Sequence, residues 1–221
     1  MKHFGSAMMI AAGLLALGAI APAGAQSNVT VGYIEMEKVF NGADAKKAGE
    51  DKVNNLAKTL TDREGLLKDA AFLPPKTWLE YRGLLEKEKP EGADTTSLTT
   101  IKGQITALDT ELKTLQQTTP ALTDAQKARL NELNGNATAN TGNLQQVDAD
   151  YAAQISKLQL DLRGSIIKEI QTAAAQVMKN KSISVVLNKQ AAAGDDGQLL
   201  VVAGGVDMTD DVLKQVNANH K

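Results

Sequence analysis

The sequence predicts an α+β fold that is mostly helical, with a small β-sheet body and a long antiparallel, coiled-coil-like helical hairpin. Three observations lead to this fold class. Strand-like segments lie near both ends of the chain, helical periodicity fills the residues between them, and aromatic residues make up only 3% of the sequence. Because so few large side chains cannot fill a wide globular core, long helices that pack along narrow apolar stripes fit the composition better.

The N-terminal residues 1–25 are typical of a signal peptide. A charged start at Lys2 precedes an apolar run over residues 7–21, and residues 23–25 give an A-x-A cleavage pattern. We therefore expect cleavage between Ala25 and Gln26 and an exported protein, with an uncleaved N-terminal anchor as the alternative. The sequence contains no cysteine, which argues against a lipid anchor and excludes a disulfide framework.

Three segments are predicted to be strands. Residues 29–34 (VTVGYI), 182–188 (SISVVLN) and 198–204 (QLLVVAG) are rich in β-branched and apolar residues. We place residues 26–42 and 181–221 together in one small body. Since three short strands bury little apolar surface, this body is expected to associate with further copies.

A short helix is predicted to close the body. In the stretch GGVDMTDDVLKQVN, Thr209 is expected to be the N-cap, and Asp210 and Asp211 lie in the first turn, near the positive end of the helix dipole. A helix of about ten residues is marginal alone. We therefore expect it to pack on the sheet.

Residues 43–180 are predicted to form the helical hairpin. Apolar residues recur in steps of three and four up to Pro74-Pro75 and again over residues 130–177. A helix with one apolar stripe needs a partner, and the first helix is the natural antiparallel one. The stretch 134–143 (NGNATANTGN) has low helix propensity, so we expect a bend or fraying there, with Asn140 as a polar interruption of the seam.

The middle of the hairpin, residues 72–123, is predicted to be an irregular tip. Pro74-Pro75, Pro90 and Pro120 interrupt the helical pattern. Between the last two, apolar residues from Leu98 to Leu115 follow a 3-4-3-4-3 spacing, which indicates a coiled-coil-like helix. Thr123 is the expected cap of the next helix.

The sequence offers little catalytic chemistry. The only histidines are His3 and His220, so neither a histidine triad nor a histidine metal site is expected in the processed chain. Asp195-Asp196 could hold Ca²⁺, but a hairpin turn is the favoured interpretation. We expect no enzymatic activity and no cofactor. The formal net charge of −2 argues against a general nucleic-acid binder.

One cluster of large side chains, in FLPPKTWLEYRGLL, falls near the expected far end of the hairpin. These side chains are candidate contacts for unfolded protein chains. The alternative is local packing where the helices break. The candidates are Phe72, Trp78, Tyr81, Leu84 and Leu85.

Three stretches carry a family resemblance. VGYIEMEKVFN (residues 31–41), SISVVLNKQ (182–190) and VDMTDDVLKQVN (206–217) resemble the opening strand, closing strand and terminal helix of the Skp/OmpH family of periplasmic chaperones. The string from Asp207 to Leu213 is the most specific part. Between these ends the resemblance is only a similar layout of long helices.

The resemblance implies a homotrimer in the periplasm. Small sheets from three copies would complete a β-barrel, and the hairpins would project from it like tentacles around a cavity that holds unfolded outer-membrane proteins without ATP. No nucleic acid and no stable membrane insertion after signal cleavage are implied. Two departures matter: the chain is mildly acidic, so lipopolysaccharide binding is not carried over, and its prolines point to an enlarged tip. A structural or adaptor coiled-coil protein of the envelope is the alternative.

Overall fold

The computed structural model describes residues 29–118, 122–189 and 205–220. Within them the chain is mostly helical, as predicted, with six helices and one three-stranded sheet. The elements are β1 (Val31–Ile34), α1 (Met36–Gly42), α2 (Asp44–Asp69), α3 (Pro75–Glu86), α4 (Ala93–Thr118), α5 (Asp124–Lys181), β2 (Val185–Asn188), β3 (Val206–Asp207) and α6 (Thr209–Ala218). The predicted cleavage between Ala25 and Gln26, the Asp195-Asp196 turn and the predicted strand 198–204 lie outside the described residues.

The sheet has the order β2-β1-β3, and both pairings are parallel. In the register, Gly32 of the central strand lies opposite Val186 on one side and Val206 on the other. The three strands thus come from opposite ends of the chain. This confirms that residues near both termini form one sheet, although the third described strand is the short β3.

The body core lies between this sheet, α6 and the last turns of α5. The helix α6 carries apolar residues on one face, and this face packs against the sheet and α5. The fully buried side chains of this core include Val39, Ile170, Ala173, Met208 and Val212.

The start of α6 differs from the prediction. Thr209 is the first residue of the helix and not its N-cap. Met208 is the N-cap residue, and the side-chain Oδ1 of Asp207, one residue earlier, accepts a hydrogen bond from the Thr209 N–H at 2.9 Å. The Thr209 hydroxyl accepts instead from the backbone N–H of Glu35 at 3.0 Å, which ties α6 to the end of β1.

Gly32→Ala should destabilise the body. A Cβ at this position would lie 2.5 Å from Met208 Sδ and 3.1 Å from Ile183 Cγ2. Because Met208 is fully buried it cannot move aside freely, so we expect a loss of about 1–3 kcal/mol in the free energy of unfolding, measured by chemical denaturation. Gly103→Ala is the matched control: nothing lies within 4 Å of its Cβ position in α4, so that variant should gain about 0.5–1 kcal/mol.

The helix α2 packs against α5, the longest described helix, which has 58 residues. Gly49, in the second turn of α2, lies against the Leu162 side chain, whereas Ala71, just past the end of α2, accepts a hydrogen bond from Asn140. The apolar stripes of the two helices therefore meet along much of their length.

The described part of residues 72–123, predicted to be an irregular tip interrupted by prolines, contains two helices, α3 and α4, and α4 includes the coiled-coil-like helix predicted over residues 98–115. They pack against the end of α2 and the first half of α5 around two apolar cores. We call α3, α4, residues 56–73 and residues 124–155 the distal bundle. Pro75 is the first residue of α3, so the prolines that interrupt the helical pattern also begin a new helix.

The Asn- and Gly-rich stretch 134–143 does not bend or fray. It continues as α-helix within α5. The prediction from helix propensity was wrong because tertiary contacts to the end of α2 outweigh local preference. Thr123, by contrast, caps α5 as predicted, in a capping box with Gln126.

Candidate functional site

The structure places the candidate aromatic and leucine side chains inside the distal bundle. Trp78, Tyr81 and Leu84 are buried, and Phe72 and Leu85 are half-buried. The indole Nε1 of Trp78 donates a hydrogen bond to the carbonyl oxygen of Leu67 at 3.0 Å, as buried indoles usually require. Local packing therefore accounts for the three buried residues in this structure. Contact of the five candidates with unfolded chains stays a prediction.

Asn140 has a structural role that the sequence did not predict. It is 2% exposed, and its side-chain Nδ2 donates to the carbonyl oxygens of Ala71 and Leu73, both at 2.8 Å. Asn136 Nδ2 donates to the Phe72 carbonyl between them at 3.3 Å. Asparagines of α5 thus satisfy three consecutive carbonyls in the turn that follows α2.

A clue to this role was present in the sequence. A helix that stops at Pro74-Pro75 leaves carbonyls without intrahelical partners, and an amide in the facing seam can satisfy them. Asn140 is therefore a cap supplied by a neighbouring helix. It positions the turn from α2 into α3.

Two arginines fasten the helices of the distal bundle to each other. Arg82 of α3 binds Glu86 at 2.8 Å and Asp150 of α5 at 2.7 Å, and its hydrogen bond holds the pKa of the Asp150 carboxyl below its ordinary value. Arg129 of α5 binds Glu111 of α4 through two nitrogens, at 2.8 and 2.9 Å. This pair likewise lowers the pKa of Glu111. At an exposed surface, an arginine with two such hydrogen bonds contributes little to stability and mainly fixes the relative position of the helices that it joins.

The edges of the sheet are exposed. Among the described residues, β2 and β3 are the outer strands, and Val185 and Val206 on them are 42% and 37% exposed. A strand at the edge of a sheet carries backbone donors and acceptors on its outer side that can pair with another chain. The outer strands of the sheet therefore offer backbone groups through which the body can pair with another copy of the chain.

Within the described ranges, no group of three or more potential ligand side chains is arranged to hold a metal ion. Over the same residues, no helix combines the length and the apolar character needed to span a membrane.

A comparison with protein families gives a match over the C-terminal part of the chain. Residues 84–216, more than half of the chain, match the protein-family model described as "Outer membrane protein (OmpH-like)". The matched region runs from the end of α3 through α4, α5 and the strands β2 and β3 into α6. No curated protein matches the chain.

Proposed function

Since the chain belongs to the OmpH-like family, we propose that it is an ATP-independent periplasmic holdase, a chaperone that binds unfolded outer-membrane proteins and keeps them from aggregating. The family match across α4, α5 and the closing elements of the body is the observation that carries this proposal. The architecture supports it, since a small body with exposed strand edges is joined to helices far longer than the body itself.

We further propose how the chain is organised and assembled. Residues 1–25 are a signal peptide removed in the periplasm, residues 26–42 and 181–221 are the assembly body, and residues 43–180 are a projecting antiparallel hairpin. Three bodies join through the edges of β2 and β3 into a barrel-like trimer. The exposed valines on these edges support this arrangement, because they would be covered in such a trimer.

The holdase function predicts a direct result. The processed protein, purified and added at one trimer per unfolded outer-membrane β-barrel protein, should keep that protein from scattering light after dilution from denaturant. The effect should need no nucleotide. Unchanged light scattering at this ratio, compared with an equal mass of an unrelated helical protein, would contradict the proposal.

Solution mass and binding range separate this function from the alternative of an envelope adaptor. A holdase should measure as a trimer over a range of concentrations and should retain several unrelated unfolded barrels. An adaptor should retain one folded partner and no unfolded barrel. A monomer at all concentrations would argue against both the barrel-like body and the holdase.

A further inference from the structure

The described helices α2 to α5 display few apolar side chains to which an unfolded protein could bind. Their exposed large apolar side chains are Leu66, Leu79 and Leu160, one each on α2, α3 and α5. The larger apolar surfaces of the distal bundle are covered, because its helices turn their apolar residues toward one another. A holdase that binds an unfolded chain at the distal bundle therefore has to uncover part of it.

The helix α4 is the part of the distal bundle that can leave most easily. Both α3 and α4 belong to the distal bundle alone, whereas α2 and α5 continue toward the body. In its 26 residues α4 has three buried side chains, those of Ile101, Leu112 and Leu115. The helix α3 buries the same number in 12 residues, and one of them is the large side chain of Trp78. Displacing α4 therefore exposes less apolar surface per residue than displacing α3.

The sequence of α4 also gives it low stability as a helix. Eight of its 26 residues are threonine, and threonine has a lower helix propensity than alanine, leucine or lysine. The hydroxyls of Thr106, Thr110 and Thr114 donate to the carbonyl oxygens four residues earlier, at 2.9–3.1 Å, an arrangement that slightly destabilises helices. The conformation of α4 therefore depends on its packing against the rest of the distal bundle.

This packing is incomplete. A cleft of about 380 Å³ lies between the middle of α4, the turn after α2 and the first half of α5, and its walls include Phe72, Leu108 and Arg129. Protein interiors are normally packed without such spaces. The ion pair between Glu111 of α4 and Arg129 of α5 is partly exposed, with 37% and 35% of these side chains accessible, so it adds little to the attachment of α4.

The surface beneath α4 is apolar. Leu112 and Leu115 of α4 belong to one core with Leu133 of α5, and the partly buried Phe72 and Leu130 pack against the same core. Leu133 has no exposed surface. Removal of α4 would take away two of the three buried side chains of this core and leave apolar side chains from the turn after α2 and from α5 open to a new partner.

We propose that α4 is a displaceable cover, and that an apolar segment of an unfolded protein binds to Phe72, Leu130 and Leu133 in place of Leu112 and Leu115. The segment takes the position of leucine side chains, so it needs apolar residues and no particular charge. This inference rests on the proposed holdase function and gives its binding surface a location.

Hydrogen exchange measures the displacement directly, with the full processed protein alone and in complex with an unfolded outer-membrane barrel protein. We expect the amides of residues 101–115 in α4 to exchange roughly tenfold faster in the complex, because a displaced α4 loses the packing that keeps it helical. The amides of residues 79–86 in α3 are the internal control and should not accelerate. Unchanged or slower exchange in α4 would show that the unfolded protein binds with α4 in place, which would overturn the proposal.

A covalent bridge tests whether displacement is required. Since the chain has no cysteine, Glu111→Cys and Arg129→Cys can be joined selectively by a bismaleimide that spans the former ion pair and holds α4 on α5. We expect the bridged protein to suppress aggregation only at a roughly tenfold higher concentration than the same double variant without the bridge. The matched control joins Asp109→Cys to Lys113→Cys, two exposed positions one turn apart within α4, and should suppress aggregation equally with and without its bridge.

The outcomes separate this inference from the holdase function. If the unmodified protein suppresses aggregation and the bridged Glu111→Cys/Arg129→Cys variant does so equally well, the function stands and the inference fails. If the unmodified protein does not suppress aggregation, both fail. Chains joined in pairs by the bridge, seen on a denaturing gel, would place α4 against a second copy of the chain and would also overturn the inference.

Discussion

Trp78→Ala should lower the free energy of unfolding by about 3–5 kcal/mol, as is usual for removal of a fully buried aromatic side chain. Trp78 has no exposed surface and lies in a core with Tyr81, Leu67 and Tyr151. The substitution also leaves the Leu67 carbonyl without its indole donor. Chemical denaturation followed by far-ultraviolet circular dichroism is the suitable measurement, because the chain has one tryptophan and the variant loses its fluorescence.

Leu79→Ala is the matched control for this prediction. Leu79 is the next residue of the same helix, but it is 51% exposed. Its loss should change stability by less than about 0.5 kcal/mol, the usual range at exposed positions. Equal effects of the two substitutions would show that α3 does not pack by the face described above. The same pair also tests Trp78 as a contact for unfolded chains, since Leu79 is the more accessible of the two in this structure.

Asn140→Leu should also destabilise the protein, by about 2–4 kcal/mol, because two buried carbonyls lose their donor. The direction of the effect is informative. If Asn140 only interrupted an apolar seam, leucine would improve the packing and raise stability. Because the Asn140 amide donates to the carbonyls of Ala71 and Leu73, the structure predicts the opposite. Hydrogen exchange of the amides in residues 70–73, compared with the unmodified protein, should show faster opening of this turn.

Asn134→Ala provides the comparison within the same stretch. Asn134 is exposed on α5, and alanine has the higher helix propensity, so we expect a gain of a few tenths of a kcal/mol. A stabilising Asn140→Leu alongside a neutral Asn134→Ala would mean that the turn after α2 does not depend on the asparagine.

The features that the sequence predicted correctly are those with local causes. Segments rich in β-branched residues identified β1 and β2, and Thr123 marked the start of α5. The expectation of one sheet from both chain ends is also confirmed. The trimer and the antiparallel hairpin remain proposals, because they depend on contacts between copies and on the arrangement of whole segments.

The errors have a common physical cause. The low helix propensity of residues 134–143 and the prolines near residue 74 were judged within their own segments, whereas the outcome depends on contact between the two. The start of α6 shows the same at smaller scale: Thr209, predicted to be the N-cap, instead accepts a hydrogen bond from the distant Glu35 N–H. Sequence periodicity carries no information about which distant backbone groups need a partner.

The parallel sheet constrains the order in which the chain can fold. β1 lies at residues 31–34, but both of its neighbours, β2 and β3, come from residues beyond 184. Closing so long a loop costs entropy before any strand contact compensates for it, whereas helices and neighbouring helix pairs form quickly from contacts close in sequence. The helices α2 to α5 can therefore fold before β2 and β3 are available, and β1 must wait for the C-terminal residues. The first strand to be made is then the last to be paired, so a chain that stops short of β2 would leave the centre of the sheet without either neighbour.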